Sequence, residues 1–538
     1  MAQVQDVFVS PPVDWWVLVP QIILVGAALG LLLVASLAPR ALPDWVSTVV
    51  AIATGAAAAI VAAVQWGMWG STPRPTLAGA FVSDGFSLLL TVLIGAGVVM
   101  TALVAHSALD RYDMAPPEFA ALLLASAAGA VVMAGANDLI VLFLGLESLS
   151  IALYVLIALA GRRASARESA MKYFVLGAFS SAFFLYGIAL VYGSTGGTNL
   201  SGIGGFLFGS IRETDYLLLV GTALLLVGLG FKVAAVPFHF WAPDVYEGAP
   251  SPVTGYLASI AKAAGFAALA RVLYVALAEQ STAWAPILIG LAFATLAVGA
   301  VLAICQSDVK RMLAYSSISH AGFVLVGLSA APALGGAAQW IVSVGDDAPL
   351  VLVTAGSGEA VSSAVFYLIA YSFMALGSFA VLSVVGAELG SSESDASAHA
   401  LGRYSGLARR RPVLALAFAA LLLAQAGVPF TAGFWAKFEV IRAAIGTRGY
   451  VLAAVAMITA VVSAFAYLRV VLAMYAPEGQ VDDGDTAPAA RASRPRWGGL
   501  PLTSVFAISL AVGVTIVVGV LPQRLLEWSA EAVLSIIL

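Results

Sequence analysis

A single cysteine, Cys305, stands in 538 residues. One thiol forms no internal disulfide, and it cannot hold an iron–sulfur cluster, which takes about four cysteine ligands. Charge is nearly as scarce. Only 10% of the residues are charged, against roughly 25% in an ordinary soluble domain. The formal net charge of −4 leaves no basic footprint for nucleic acid. The first residues, MAQVQDVFVSPPVDWW, lack a basic region and a small-residue cleavage site. Residues 17–37 are therefore expected as a retained first helix, not a signal peptide. Lysine is the scarcest cation. There are five, Lys172, Lys232, Lys262, Lys310 and Lys437, against twenty arginines.

What fills the chain is apolar: 61% of the residues are hydrophobic and the mean hydropathy is +1.00. Apolar runs long enough to cross a bilayer recur from end to end. They predict an all-α polytopic membrane protein with fourteen spans, near 17–37, 45–66, 84–106, 117–135, 138–160, 168–192, 216–236, 251–277, 284–305, 311–330, 359–387, 411–445 (interrupted), 449–475 and 500–521. Trp15, Trp16, Trp45, Trp66, Trp69 and Trp284 fall at span ends, where interfacial aromatics belong. With the N-terminus outside, fourteen loop cations lie on the inner side, Lys310 among them, and five on the outer side, Arg271 among them. That asymmetry places both termini outside a bacterial cell membrane. The Gly-rich segment 193–215 follows no strand and is read as an outer loop. Residues 331–358 form an outer insertion suited to a hairpin, and 476–499 an inner linker of acidic and basic clusters.

A short motif repeats. Ala235-Val236-Pro237-Phe238 returns as Gly427-Val428-Pro429-Phe430, 192 residues later, each inside an interrupted apolar segment with a lysine nearby. Spans 4–8 then match spans 9–13, and an odd number of helices per unit inverts the second copy. Paired broken helices in two inverted halves point to a transport site. The expected organisation is an N-terminal three-helix segment (1–116), a first five-helix repeat (117–277), a second (284–475), and an inner loop, final helix and outer tail (476–538).

Lys232, Lys262 and Lys437 lie deep in apolar segments, and Lys172 in the first third of another; only Lys310 is expected in a loop. An ionised side chain at bilayer centre costs about 2.5–3.5 kcal/mol on insertion scales, so such residues are functional candidates. Lysine, unlike arginine, can shed its proton when desolvated. Glu147 sits roughly 15 Å deep in its span and must be protonated or paired; Lys172 on the next helix is its expected partner. His239, just past the first break, and His320 suit proton hopping or are hydrogen-bonded packing residues. Tyr315, Ser316, Ser317 and Ser319 hold water near His320 or serve helix packing. Asp244 and Glu247 belong to a proline-rich connector at the inner mouth.

The run FKVAAVPFHFWAPDVYEGAPSPVTGYLASIAK resembles the antiporter-like subunits of the proton-pumping NADH:quinone oxidoreductase, respiratory complex I, and among them subunit N. Glu147, Lys172 and Lys437 match the family's acidic gate, paired lysine and terminal lysine. Lys437 stands where subunit M has a glutamate, and the chain has no room for the long lateral helix of subunit L. The resemblance implies two half-channels joined by a buried polar axis. In it Glu147 biases Lys172 and Lys232, and Lys262 passes the proton through His320 and water to Lys437. It also implies that FMN, iron–sulfur clusters and quinone reside in partner subunits, with no cofactor or metal in this chain. The expected partners are the neighbouring subunit M, the small subunits K, J and A, and lipids. A subunit of a multisubunit Na⁺/H⁺ antiporter and a non-pumping membrane scaffold are the competing expectations.

Overall fold

The computed structural model describes residues 13–37, 43–160, 163–208, 215–330, 339–342, 351–354, 357–388, 399–477 and 500–537. Most of the linker 476–499 and of the insertion 331–358 lies outside the described residues. Among the described residues, thirteen helices are long and apolar enough to cross a membrane. They are α1 (Val19–Leu37), α2 (Asp44–Trp69), α3 (Gly85–His106), α4 (Pro116–Gly135), α5 (Leu139–Ala158), α6 (Ala164–Thr195), α7 (Tyr216–Val233), α8 (Ser251–Ala276), α9 (Ser281–Ile304), α10 (Val309–Ser329) and α11 (Ser357–Glu388), then α13 (Tyr450–Tyr475) and α14 (Leu502–Val520). The remaining crossing, α12, is split into α12a (Pro412–Ala426) and α12b (Ala432–Gly446). Helices lie at all fourteen predicted spans, thirteen as single long helices and the twelfth as two half-helices. A helix is the form in which such segments satisfy every backbone group without water.

The ends of these helices follow from short polar residues. Asp84, Asp138 and Asp308 each accept backbone N–H groups at the starts of α3, α5 and α10, as side-chain caps do. Two antiparallel hairpins lie outside the helices, β1 (Arg74–Thr76) with β2 (Phe81–Ser83), and β3 (Gln339–Val342) with β4 (Val351–Thr354). The second is the hairpin expected in the insertion. Segment 193–215 is more than a loop, since Leu200–Phe208 is helical. Isolated bridges tie Phe81 to Ala136 and Asp138 to Asn199 at one end of the bundle, and Asp308 to Ala400 at the other. This groups the connections into two sides, and the second holds most of the loop arginines.

The two interruptions are built alike. α7 stops at Val233; Ala234 turns left-handed (φ 58), and Ala235 N donates back to Gly230 O at 2.8 Å. α12a stops at Ala426; Gly427 turns left-handed (φ 94), and Val428 N donates back to Leu423 O at 3.1 Å. Both are the same glycine-type helix stop, with a bond spanning six residues. Ala234 carries it without being glycine. The Phe231 carbonyl at the first break is taken by Trp241 Nε1 at 3.0 Å, and Val236 N donates to Thr295 Oγ1 on α9 at 2.9 Å.

Three expectations about polar residues are corrected here. Arg271 is no outer-loop cation. It is buried near the end of α8, donating to both oxygens of Asp84 at 2.8 Å and to Ala134 O, with both partners at most 3% exposed. Lys310 is not in a loop but buried in the first turn of α10, donating to Ala249 O. Trp284 is buried as well, its Nε1 bonded to Leu277 O. In each case the span end curls under neighbouring helices, which periodicity does not reveal. Removing one partner of such a buried pair costs about 3–5 kcal/mol. Arg271→Met is therefore expected to lower the thermal inactivation temperature of the assembled protein, and Asp84→Asn to do the same. An unchanged inactivation temperature in both would show the pair to be idle.

Candidate functional site

Lys232 occupies the last turn of α7, immediately before the break, and is buried. Its Nζ donates to Ser150 Oγ on α5 at 2.8 Å and to Tyr173 OH on α6 at 3.1 Å. Tyr173 is held in place by stacking on Trp241, ring centroids 4.5 Å apart. Hydroxyls offset the desolvation of an ammonium only in part. A small crevice runs from Lys232 past Ser150 and Tyr154 to Ser181. Ser181 Oγ donates to Glu147, which is half-buried. Glu147 is thus connected towards Lys232.

Lys172 is not its partner. The Lys172 side chain is 41% exposed and lies on the basic side, with its ammonium 2.7 Å from Glu168 and 2.8 Å from Asp244. Ser181, which does meet Glu147, stands nine residues further along α6, about 13 Å at the helical rise. Asp244 also receives Arg311 of α10 at 2.9 Å, and Arg311 reaches Glu247 at 2.6 Å. Burial raises the Asp244 carboxyl, but Lys172 and Arg311 outweigh it and bring the group below its ordinary value. The connector, helical over Trp241–Gly248, therefore clasps the first repeat to the second.

Lys262 follows a π-helical turn (Leu257–Ala261) inside α8, a local register change common at functional sites. Its Nζ donates to Ser317 Oγ at 2.5 Å and Ser317 O at 2.7 Å on α10. Gly265, three residues on, lies on the same face, and a Cβ there would come 3.2 Å from Lys232 Cγ. The two lysines therefore meet one short stretch of α8. Gly265 is fifteenth of 26 residues, about 21 Å along a helix of about 39 Å, which is mid-depth.

From Ser317 the polar path continues on α10. His320 Nδ1 pairs with Tyr367 OH at 2.6 Å and Nε2 with Tyr467 OH at 2.8 Å. Tyr467 also bonds Ser316, Ser319 lies 3.4 Å from Ser463, and the His320 ring stacks on Tyr371 at 4.5 Å. A neutral imidazole between two phenols accepts at one nitrogen and donates at the other, which is the arrangement a proton relay requires. Lys437, on α12b, donates to Ala426 O at 2.8 Å, a carbonyl left free at the second break, and its Nζ lies 5.2 Å from the Phe323 ring centre.

Of the sequence candidates, Glu147, Lys232, Lys262, His320 and Lys437 line one buried axis through both repeats. Lys172 stands apart in the basic-side clasp. His239 is buried at the break beside Phe240, and among the described residues its Nδ1 makes no hydrogen bond. Sequence reasoning missed Ser150, Tyr173, Ser181, Tyr367 and Tyr467. Their signal was weak, because a hydroxyl in an apolar helix serves packing as often as function.

The family described as "NADH:quinone oxidoreductase/Mrp antiporter, TM" matches residues 136–344 and 348–463. The chain is similar to NADH-quinone oxidoreductase subunit N 3 of Streptomyces griseus, 38% identical over 98% of this chain and 95% of that one. It is also similar to subunit N of Salinispora arenicola, 40% identical over 97% and 98%. Among solved structures, a chain of respiratory complex I from Thermus thermophilus is 31% identical, covers 94% of this chain and 98% of its own, and superposes with a TM-score of 0.72. A chain of the Mrp complex from Dietzia, 21% identical over 97% of both chains, shares the fold with a TM-score of 0.78.

Proposed function

The chain belongs to the NADH-quinone oxidoreductase subunit N family of antiporter-like membrane subunits, and on that footing we propose that it carries protons along its buried axis. The enzyme it serves is the proton-translocating NADH:quinone oxidoreductase. The observation that carries the reading is a set of neighbouring polar groups along the axis: Glu147 with Ser181, Lys232 with Ser150 and Tyr173, Lys262 with Ser317, and His320 with Tyr467, which also bonds Ser316. Each lysine is buried and partnered by hydroxyls or carbonyls instead of carboxylates. Its charge is then set by its neighbours along the axis, and one charge moved alters the next.

Redox energy enters through partner subunits, where FMN, iron–sulfur clusters and quinone belong; one cysteine supplies no cluster. Glu147 stands on the α5–α6 face beside exposed Leu144, Ser148 and Ile151. A half-buried carboxylate beside a lipid-facing surface is costly, which favours a polar partner subunit against this face. Subunits M, K, J and A are the partners proposed, with lipid on the rest of the surface. The arginine-rich side faces the cytoplasm of a bacterial cell, and both termini face outside.

Purification of the native complex tests the reading. NADH dehydrogenase subunits are expected to co-purify, and NADH-driven proton uptake into vesicles is expected to persist without Na⁺. Isolation with antiporter subunits alone, or uptake that requires Na⁺, would assign the chain to Na⁺/H⁺ exchange.

A further inference from the structure

Among the described residues, no hydrogen bond joins the His320 cluster to Lys437. His320 has both ring nitrogens occupied, by Tyr367 and Tyr467. Lys437 Nζ, among the described residues, has one hydrogen-bond partner, Ala426 O. Phe323, buried and three residues after His320 on the same face of α10, lies close to both. Its ring lies 5.8 Å from that of Tyr367 at an interplanar angle of 12°, and 6.5 Å from the His320 ring. Its centre is 5.2 Å from Lys437 Nζ. A phenyl ring offers neither donor nor acceptor, so no chain of hydrogen bonds passes through it.

We infer that Phe323 gates the final transfer between the His320 cluster and Lys437. The inference rests on the proton-carrying role proposed above. The step moves one proton and no electron: a ring nitrogen of His320 gives it up and Lys437 Nζ takes it. The ring treats the two states of Lys437 differently. An ammonium is attracted to the ring face and donates to the Ala426 carbonyl, so the protonated lysine is drawn onto Phe323 and the break. A neutral amine loses most of both attractions and is released. With Lys437 charged, the apolar ring lies close to it and to His320 and excludes the water that would carry the proton back, as hydrophobic constrictions do in channels. Stacking on Tyr367 couples the ring to the phenol that bonds His320, so a change at the histidine reaches the gate.

Phe323→Tyr adds a hydroxyl with almost no change in shape, and Phe323→Ala opens space for water; Phe323→Leu keeps the site apolar. The assembled complex carrying each variant is placed in proteoliposomes, and protons translocated per NADH are measured as the opposing gradient grows. The tyrosine and alanine variants are expected to slip. Their ratio falls at least about twofold at high gradient while NADH oxidation is not slowed, and the leucine variant keeps the ratio. A role in packing alone would lower oxidation and translocation together, and that result overturns the gate. So does an unchanged ratio in the tyrosine and alanine variants when Lys437→Met lowers it. If Lys437→Met and Lys262→Ala also leave the ratio unchanged, the proton-carrying role fails and the gate with it.

Discussion

Lys262→Ala is expected to lower the protons translocated per NADH by the share this chain carries, with the complex still assembled. The lysine joins the halves of the axis: Gly265 on its helix packs on Lys232, and its ammonium reaches Ser317, one turn before His320. Alanine leaves the Ser317 hydroxyl without a donor on α8 and removes the ammonium between Lys232 and His320. Flux through this chain should fall at least about tenfold, the effect of about 1.4 kcal/mol added to a barrier. Lys262→Arg separates proton transfer from charge. Arginine keeps the positive charge and cannot give up its proton, so it is expected to fail like alanine. If arginine restores translocation, Lys262 serves as a fixed charge and not as a carrier. The measurement is proton uptake per NADH in proteoliposomes, with subunit content checked in parallel.

Gly433→Ala is expected to remove the chain from assembled membranes. A methyl at this position would lie 1.9 Å from the Ala424 carbonyl oxygen and 2.8 Å from its carbon. That contact is between α12b and the end of α12a, and both sides are backbone, so no side chain can swing aside. Overpacking against side chains costs about 1–3 kcal/mol; here the two half-helices must separate, and the loss sits at or above the upper figure. Gly446→Ala is the matched control, because nothing lies within 4 Å of its added carbon and alanine favours the helix. Immunodetection in membranes should show the first variant depleted severalfold and the second at the normal level. Equal levels would mean that the break has slack its geometry does not show.

The membrane architecture was legible because apolar length is a strong signal and lysine in such a run is an anomaly. Lys232, Lys262 and Lys437 stood out for that reason, and the Val-Pro-Phe repeat located both breaks before any coordinates. The partners were less legible. Glu147 and Lys172 lie on successive spans, but adjacency in sequence does not state the level at which antiparallel helices meet. Glu147 is ninth in α5 and Lys172 ninth in α6, entering from opposite sides. Arg271 was misread for a related reason: it falls near a span end, and the buried Asp84 that receives it is 187 residues earlier. Tyr367 and Tyr467 gave only a weak signal, since the packing of helices around His320 is what makes their hydroxyls more than solvent-seeking tips.

The clasp of Lys172 and Arg311 on Asp244 has a mechanical meaning. The short helix that carries Asp244 starts with Trp241, which is bonded to Phe231, the residue before Lys232. At its acidic end it is pinned to α10, six residues before Ser317 and nine before His320. It is a lever with one end at the first lysine and the other on the helix of the central histidine. A displacement of either repeat is transmitted to both ends, so the surroundings of Lys232 and of His320 are mechanically linked.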